Sequence, residues 1–224
     1  MLIGEDSSHW EWDDPFDPSK DFYYFKATDG VYGEIDSPKG VTVANMIAKA
    51  EDAGKPWGLY HFFYFDQDPI IQARVFAPYA RKSKLPPWYD FEHYGPNKTS
   101  PMRGAPLVAS AESFLVNVEQ MAGRRCAIYT NADTWTARMM TGWPRKPPAW
   151  TGRYLLAVAS YRLTPVLPPG WSEWWMWQYR KDPDYNRFDG TAEELGQYAT
   201  GPARTIPERV TALEEWARGQ GYGG

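Results

Sequence analysis

Two carboxylates close an apolar run in the stretch Leu85–Glu92, which reads Leu-Pro-Pro-Trp-Tyr-Asp-Phe-Glu. Side chains on a β-strand alternate between its faces, so Asp90 and Glu92 would point the same way. Two neighbouring carboxylates cannot easily both ionise, and one tends to keep its proton near neutral pH. Glycoside hydrolysis requires such a pair. Taken alone, an Asp-x-Glu on a strand is more often a solvated edge, so other residues must support a catalytic interpretation.

Polar and aromatic residues also close other apolar runs of the chain. They are Asp6, Tyr60, Tyr129, Gln178 and Asp184, each at the end of a different run. In barrels of parallel strands, the reacting and binding groups gather where the strands end and the following loops begin. The sequence therefore predicts one shared site that includes these residues together with Asp90 and Glu92.

The elements that would position this site follow a regular order. Runs rich in β-forming residues begin near residues 2, 22, 57, 86, 126, 155, 174 and 184. Apolar residues at helical spacing mark 41–53, 69–80 and 107–122, whereas no convincing helix separates the runs at 155 and 174. Alternating strands and helices are typical of a parallel sheet, and eight strands can close a barrel. We predict a single-domain α/β barrel of eight strands, TIM-like, whose later strands lack regular helices.

The character of the chain changes beyond Gly190. Residues 191–198 and 207–218 are predicted to form short helices, and the second has an apolar edge made by Val210, Leu213 and Trp216. We predict that the barrel domain covers residues 1–195. Residues 196–224 would form a helical extension that packs on the barrel or contacts a partner.

Composition excludes several classes of partner. The formal net charge is −4 and no long basic run occurs, which argues against nucleic acid because phosphate binding draws on clustered Lys and Arg. No apolar run could span a bilayer, and residues 1–6 lack the basic start and apolar stretch of a secretory signal. We therefore expect a protein that is made in the cytoplasm and does not insert into a membrane.

Cysteine and histidine patterns predict neither a disulfide nor a metal. Cys126 is the only cysteine, so no internal disulfide can form, and we expect it to be a small buried apolar residue. The three histidines, at positions 9, 61 and 93, lack metal-ligand spacing. No metal and no cofactor are predicted. Aromatic residues make up 17% of the chain, which suits sugar sites and large cores equally.

Seven stretches, taken in order, resemble the glycoside hydrolases of family 25, the muramidase-type lysozymes of bacteria, fungi and phages. Residues 4–10 resemble that family's Gly-x-Asp-x-Ser-His-Trp, residues 22–30 its Phe-x-x-x-Lys-Ala-Thr-Glu-Gly, and residues 85–92 its Leu-Pro-Pro-x-x-Asp-x-Glu. Residues 58–63, 128–131, 177–179 and 184–190 complete the set. The resemblance extends over residues 2–195.

The resemblance implies a flattened eight-stranded barrel that cleaves the β-1,4 bond between N-acetylmuramic acid and N-acetylglucosamine in bacterial peptidoglycan. Glu92 matches the proton donor to the leaving oxygen, and Asp90 matches the acid that supports the reacting centre. Asp6 and Asp184 match two further carboxylates of the groove. The positions implied to line or shape the substrate cleft are Lys26, Tyr60, Tyr129 and Trp177.

Several features leave alternatives open. Glu5 stands where the family usually has an apolar residue, Asp29 replaces a usual Glu, and Glu11 stands where Gln is common. Strand residues two apart are separated by roughly 7 Å at their Cα atoms, which fits neither the retaining nor the inverting geometry uniquely.

Three functions remain compatible with this sequence. The first is a lysozyme acting on the cell wall, as a phage-type lysin or a virion-associated enzyme. The second is a catalytically weak glycan-binding or virion structural module on the same barrel, since a fold does not guarantee its usual chemistry. The third is a hydrolase of another N-acetylated glycan such as chitin. Retention of all four acids favours an enzyme. We expect a monomer, with a possible partner contact at the C-terminal helix.

Overall fold

A computed structural model of the chain describes residues 1–142 and 145–200. Eight strands form a closed barrel in chain order. They are β1 (Leu2–Ser7), β2 (Phe22–Asp29), β3 (Trp57–Phe62), β4 (Trp88–Asp90), β5 (Ala127–Thr130), β6 (Leu156–Ala159), β7 (Met176–Arg180) and β8 (Tyr185–Phe188). The predicted eight-stranded barrel is confirmed, and every strand begins within two residues of its predicted start.

The last strand departs from the parallel order. Strands β1 to β7 pair in parallel, whereas β8 pairs antiparallel with both β7 and β1. Only residues 181–184 connect β7 to β8. Two parallel neighbours need a crossover of a dozen or more residues, so a connection this short can only join antiparallel strands.

Helices cover the outside of the barrel. They are α1 (Val43–Asp52), α2 (Pro69–Lys82), α3 (Ala105–Ala122), α4 (Ala132–Met139) and α5 (Ala192–Thr200). No α-helix lies in residues 160–175, between β6 and β7, as the sequence predicted. Helix α4 was not predicted. Its signal is local: the Asn131 side chain accepts a hydrogen bond from the backbone N–H of Thr134, which caps the helix start.

Helix boundaries follow recognisable end signals. Thr42 and Asn45 form a reciprocal capping box at the start of α1. Asp68 accepts hydrogen bonds from the N–H groups of Ile70 and Ile71, and Pro69 occupies the first position of α2. Gly123 ends α3 in the left-handed conformation, which glycine adopts without a steric penalty. The helices that cover β2 to β4 are therefore fixed at their ends by local sequence.

Aromatic residues fill both sides of the barrel wall. Outside the wall, rings from the strands and from α2 and α3 form one buried layer, which includes Tyr89, Phe91 and Phe114. Inside the wall, at the end opposite the strands' carboxyl termini, lies a second group that we call the aromatic plug. Its members are Phe22, Tyr24, Trp88, Met176 and Phe188.

Close ring contacts in the aromatic plug depend on a glycine. The Tyr24 and Trp88 rings stack with their centroids 3.7 Å apart. Gly58 lies beside them on β3, and a Cβ atom there would stand 2.1 Å from the Tyr24 ring. Only a residue without a side chain leaves room for this ring, so the plug fixes the identity of position 58.

Helix α5 packs against the end of the barrel that holds the aromatic plug. Leu195 is buried, and the Tyr198 ring contacts Trp175 and Phe188. The helix spans the predicted domain boundary at residue 195. The predicted helix at 207–218, with its possible partner contact, lies outside the described residues. Across residues 1–142 and 145–200, no helix combines the length and apolarity needed to cross a membrane.

Candidate active site

A cavity of about 460 Å³ opens where the parallel strands end. All four predicted acids, Asp6, Asp90, Glu92 and Asp184, line it. Lys26, Tyr60 and Tyr129 line it as well. These seven residues come from β1 to β5, from the loop after β4 and from the connection before β8, so closure of the barrel brings together side chains that are far apart in sequence.

The Asp90–Glu92 pair sits at the very end of β4. The strand ends at Asp90, so Glu92 lies in the following loop and not inside the strand as the sequence predicted. Phe91 nevertheless donates its N–H to the carbonyl of Tyr129 at 2.8 Å and packs in the outer layer. Strand-like alternation therefore continues past the strand's end, and both carboxylates reach the same cavity.

Asn97 holds the loop that carries Glu92. Its Nδ2 donates to the carbonyl oxygens of Glu92 at 2.9 Å and Phe63 at 2.8 Å, and its Oδ1 accepts from the N–H of Phe65 at 2.9 Å. All the polar atoms of this buried side chain are thus used to tie the β3 and β4 loops together. Sequence reasoning treated this region only as a loop, because an asparagine's long-range partners leave no local pattern.

Asp6 is held by two amide side chains from β7 and β8. Its Oδ2 accepts from Gln178 Nε2 at 2.8 Å and from Asn186 Nδ2 at 2.6 Å. Gln178 in turn accepts from the hydroxyls of Tyr129 at 2.9 Å and Tyr161 at 2.6 Å. Burial, and then the charge of Asp184, raise the pKa of Asp6 well above its ordinary value, while the two amides oppose the rise.

Asp90 is one of the buried acids of the cavity. Its side chain is only 5% exposed, and its Oδ1 has no hydrogen-bond partner within the described part of the chain. Burial, and then the charge of Glu92, raise the pKa of Asp90 well above its ordinary value, whereas Lys26 lowers it. A buried carboxylate oxygen without a donor is costly, so it is ready to interact strongly with any group that enters the cavity.

Glu92 has a pKa suited to proton transfer at neutral pH. Burial, and then the charge of Asp184, raise the pKa of Glu92 to about 7, against the opposing effect of Lys26. Burial, followed by the charges of Glu11 and Asp182, raises the pKa of Asp184 to about 6. The acids thus retain protons at pH values where isolated carboxyl groups are fully ionised.

Trp177 does not line the cavity. Met176 and Gln178 point into the barrel, so alternation along β7 turns Trp177 outward. There it packs against Leu156 and Val158, and its Nε1 donates to the carbonyl of Ser160 at 2.6 Å. The expectation that Trp177 lines the cleft is therefore wrong in this structure, because the side chain lies on the other side of the wall.

Exposed rings extend the site beyond the cavity. Trp10, 70% exposed, and Tyr94, 63% exposed, stand at its rim. A second cavity of about 370 Å³ shares Glu92 and Tyr161 with the first. Open space therefore continues on both sides of Glu92, and flat rings there could cover the apolar faces of sugars. Neither Trp10 nor Tyr161 was singled out from the sequence, because an exposed ring looks the same in any loop.

Histidines take no part in this arrangement. His61 is buried outside the barrel, where Nδ1 lies 2.7 Å from Thr28 Oγ1 and Nε2 lies 3.2 Å from Gln72 Oε1. Burial lowers the pKa of His61 to about 3, so it stays neutral. Among the residues that the structure describes, no cluster of three or more His, Cys, Asp or Glu side chains could hold a metal ion.

An eight-stranded barrel with acids gathered at the carboxyl ends of its strands is an arrangement that suits glycoside hydrolysis, which uses a pair of carboxyl groups. The family model described as "Glycosyl hydrolases family 25" matches residues 6–187. The chain therefore belongs to glycosyl hydrolase family 25 and is a glycoside hydrolase, which confirms the resemblance seen in the sequence. No curated protein matches the sequence.

Solved structures share the fold of this chain. A muramidase from Acremonium alcalophilum is 27% identical with a TM-score of 0.74, covering 90% of this chain and 100% of that one. The bacterial lysozyme from Streptomyces coelicolor is 23% identical with a TM-score of 0.72, covering 88% and 96%. The catalytic domain of endolysin ply40, from bacteriophage P40 of Listeria monocytogenes, is 19% identical with a TM-score of 0.60, covering 88% and 97%.

Proposed function

We propose that this glycoside hydrolase is an N-acetylmuramidase, a lysozyme that cleaves the β-1,4 bond between N-acetylmuramic acid and N-acetylglucosamine in bacterial peptidoglycan. Family membership and the likeness to a muramidase support the proposal. The single observation that carries it is the pairing at the end of β4. Glu92, with a pKa raised to about 7, shares a sugar-sized cavity with Asp90, whose Oδ1 has no partner in the described structure.

Glu92 acts in this proposal as the general acid. A carboxyl group with a pKa of about 7 is still largely protonated in mildly acidic solution, and it can give that proton to the glycosidic oxygen as the bond breaks. The cavities on both sides of Glu92 allow a glycan strand to cross it, with one sugar on each side. The leaving oxygen would then lie next to the protonated carboxyl.

Asp90 supports the reacting centre. The anomeric carbon becomes oxocarbenium-like as the leaving group departs, and an ionised Asp90 would either stabilise that charge or polarise the substrate's own acetamido group. Burial makes the ion costly in the empty cavity. That cost is recovered when positive charge develops beside it, so the interaction is stronger in the transition state than in the ground state.

The remaining residues of the cavity bind the substrate and set the charge around Glu92. Asp6 is fixed by its two amide donors, and Asp184 keeps Glu92 protonated through repulsion. Tyr60, Tyr129 and Lys26 would contact the sugar from the cavity wall. The site of action is the cell wall, which is where an endolysin-type catalytic domain works, and the partner is peptidoglycan, bound by a monomer.

Digestion of purified peptidoglycan tests this function. The parent should release muropeptides whose new reducing end, identified by mass spectrometry, is N-acetylmuramic acid. Glu92→Gln should lower the rate about 10²- to 10⁴-fold, the usual contribution of a general acid. Glu112→Gln is the matched control, because Glu112 lies on α3 away from the cavity, and its rate should equal that of the parent.

Three results would contradict the proposal. If the parent binds peptidoglycan without releasing any product, the barrel is a glycan-binding module. If it releases product from chitin and none from peptidoglycan, the substrate assignment is wrong. Full activity of Glu92→Gln would remove Glu92 from the role of acid.

A further inference from the structure

An irregularity in β2 changes which side chains reach the cavity. In the pairing of β2 with β3, Lys26 stands opposite Tyr60 and Thr28 opposite His61, so Ala27 is an extra residue. Such a β-bulge redirects the residues that follow it. Ala27 packs in the outer layer, and Thr28 also points outward, with its Oγ1 2.7 Å from His61 Nδ1.

The bulge brings Lys26 and Asp29 together. Residues three apart on a regular strand face opposite sides, because side chains alternate with a period of two. With Ala27 inserted, both face the mouth of the barrel, and Lys26 Nζ lies 3.0 Å from Asp29 Oδ2. The ammonium also lies 4.9 Å from the centre of the Phe62 ring. These contacts hold the Lys26 charge on the β2–β3 side of the cavity.

Two buried oxygens near this pair remain unsatisfied. Asp29 Oδ1 and Asp90 Oδ1 each lack a hydrogen-bond partner in residues 1–142 and 145–200. Lys26 and Asp90 line the same cavity, and Lys26 lowers the pKa of Asp90, so the ammonium lies within electrostatic reach of that carboxyl group. It bonds to Asp29 instead.

We propose that Asp29 is a positioning residue that holds Lys26 off Asp90, so that an oxygen of Asp90 stays free for the substrate. The inference rests on the proposed function, because it concerns the acid that supports the reacting centre. Asp29 itself touches neither the reacting atoms nor the sugar. It acts through Lys26, and the bulge at Ala27 is what makes this possible.

Electrostatics agree with this geometry. Lys26 lowers the pKa of both Asp90 and Glu92, against the larger effect of burial. Bonded to Asp29, it remains close enough to moderate these acids without neutralising either. The titratable groups around the Lys26–Asp29 pair are His9, Tyr32, Tyr60, Tyr64, Asp90 and Glu92.

Asp29→Asn is the decisive variant. It leaves Lys26 without its ion-pair partner, so Lys26 should move to Asp90. We expect kcat on peptidoglycan to fall about tenfold to 100-fold, in the range that a small displacement of a catalytic group produces. The alkaline limb of the pH–rate profile should move to lower pH, because an unpaired Lys26 favours the ionised form of Glu92.

Three further variants separate positioning from a structural defect. Asp29→Glu keeps the carboxylate and should retain most of the parent's kcat. Asp17→Asn is the matched control, since Asp17 forms an ion pair with Lys20 at the same i,i+3 spacing outside the cavity, and its kcat should be unchanged. Adding Asp29→Asn to Lys26→Met should cause no further loss of kcat.

Carboxyl ¹³C NMR titration without substrate makes the test independent of activity. The pKa of Glu92 should be lower in Asp29→Asn than in the parent, and adding Asp29→Asn to Lys26→Met should leave it unchanged. If this holds while the parent cleaves no peptidoglycan, the proposed function fails and the positioning role stands. The role is overturned if Asp29→Asn keeps the parent's kcat and pH profile, or if it causes the same loss with and without Lys26.

Discussion

The two halves of the barrel interior differ sharply although the same strands build both. One half is the aromatic plug, where rings stack on one another and few polar atoms occur. The other half is the cavity, where four carboxyl groups whose pKa values are raised face open space. The aromatic plug therefore contributes mainly to the stability of the fold, whereas the cavity holds the groups that can react.

Along β4 and β8 the change takes a single inward step. On β4, Trp88 packs in the plug and also lines the cavity, and Asp90, the next inward residue, belongs to the cavity. On β8, Phe188 belongs to the plug, whereas Asn186 binds Asp6. Successive inward residues are roughly 7 Å apart, so that distance alone separates a packed core from a group of buried acids. Rigid packing on one side is what keeps the acids in place on the other.

Removing the plug's central ring should give the largest effect on stability. Trp88→Ala deletes a fully buried ring that stacks on Tyr24 and Tyr129, and the free energy of unfolding should fall by about 3–5 kcal/mol. Trp10→Ala makes the same change at the exposed rim and should cost no more than about 0.5 kcal/mol. Urea denaturation measures both.

Trp88→Phe keeps a ring in the plug and should lose less stability than Trp88→Ala, which matters if the alanine variant does not fold. Equal losses for the Trp88→Ala and Trp10→Ala variants would contradict the division of the interior into a stabilising half and a reactive half.

Replacing Glu92 should raise the free energy of unfolding, whereas the substitution in the plug should lower it. Glu92 has its pKa raised to about 7 in the folded state, so between its unfolded pKa and about 7 the folded protein binds more protons, and stability falls as pH rises through that window. Glu92→Gln abolishes this ionisation. At pH 8 it should stabilise the protein by about 1–3 kcal/mol, allowing for partial exposure to solvent, and at pH 4 the two proteins should be equal.

Urea denaturation of parent and variant at both pH values measures this gain, with Glu112→Gln as the control that should change at neither. If Glu92→Gln is less stable than the parent at pH 8, then the ionised Glu92 makes a favourable interaction in the folded state. The cavity would then not be a region where buried charge costs stability.

The smallest change in stability is expected at Asn186, which lies where the plug and the cavity meet. Asn186→Ala removes one of the two amide donors to Asp6, and Gln178 remains. Asn186 Oδ1 has no partner among the described residues, so deleting it also removes an unsatisfied atom, and the net loss should be about 1 kcal/mol. The pKa of Asp6 should rise further, because an amide that lowers it is gone.

Thermal unfolding and carboxyl NMR measure the two changes at Asn186. Asn117→Ala is a suitable control, because Asn117 donates to the carbonyl of Ser113 within its own helix, α3, and bonds no cavity residue in the described part of the chain. A loss as large as that of Trp88→Ala would place Asn186 in the stabilising half.

Much of the fold was predictable because it is encoded locally. Strand runs such as Phe22–Asp29 carry β-forming residues, and α1, α2 and α3 carry helical spacing with end signals. The direction of β8 was not predicted, although the short connection after Arg180 holds the information. Helix α4 was missed because it spans only eight residues, which is shorter than the window over which helical spacing can be recognised.

The candidate site was predicted only in part, because the direction of a side chain is not fixed by local sequence alone. The strand-end rule placed Asp6, Asp90 and Asp184 correctly at one cavity, since alternation and barrel closure together decide where a strand end points. Trp177, which only the family resemblance implied to line or shape the cleft, faces outward. Asp29 shows the limit most clearly, because one extra residue at Ala27 reverses its direction.

The sequence by itself determined the number and order of the strands, the helices with strong end signals, and the identity of the acids at the strand ends. These depend on periodicity and on residue type, which can be read along the chain. Tertiary structure alone decided which acids lie without partners, how far burial raises each pKa, and where Lys26 places its charge. Such properties depend on distances between residues remote in sequence, and only closure of the barrel sets those distances.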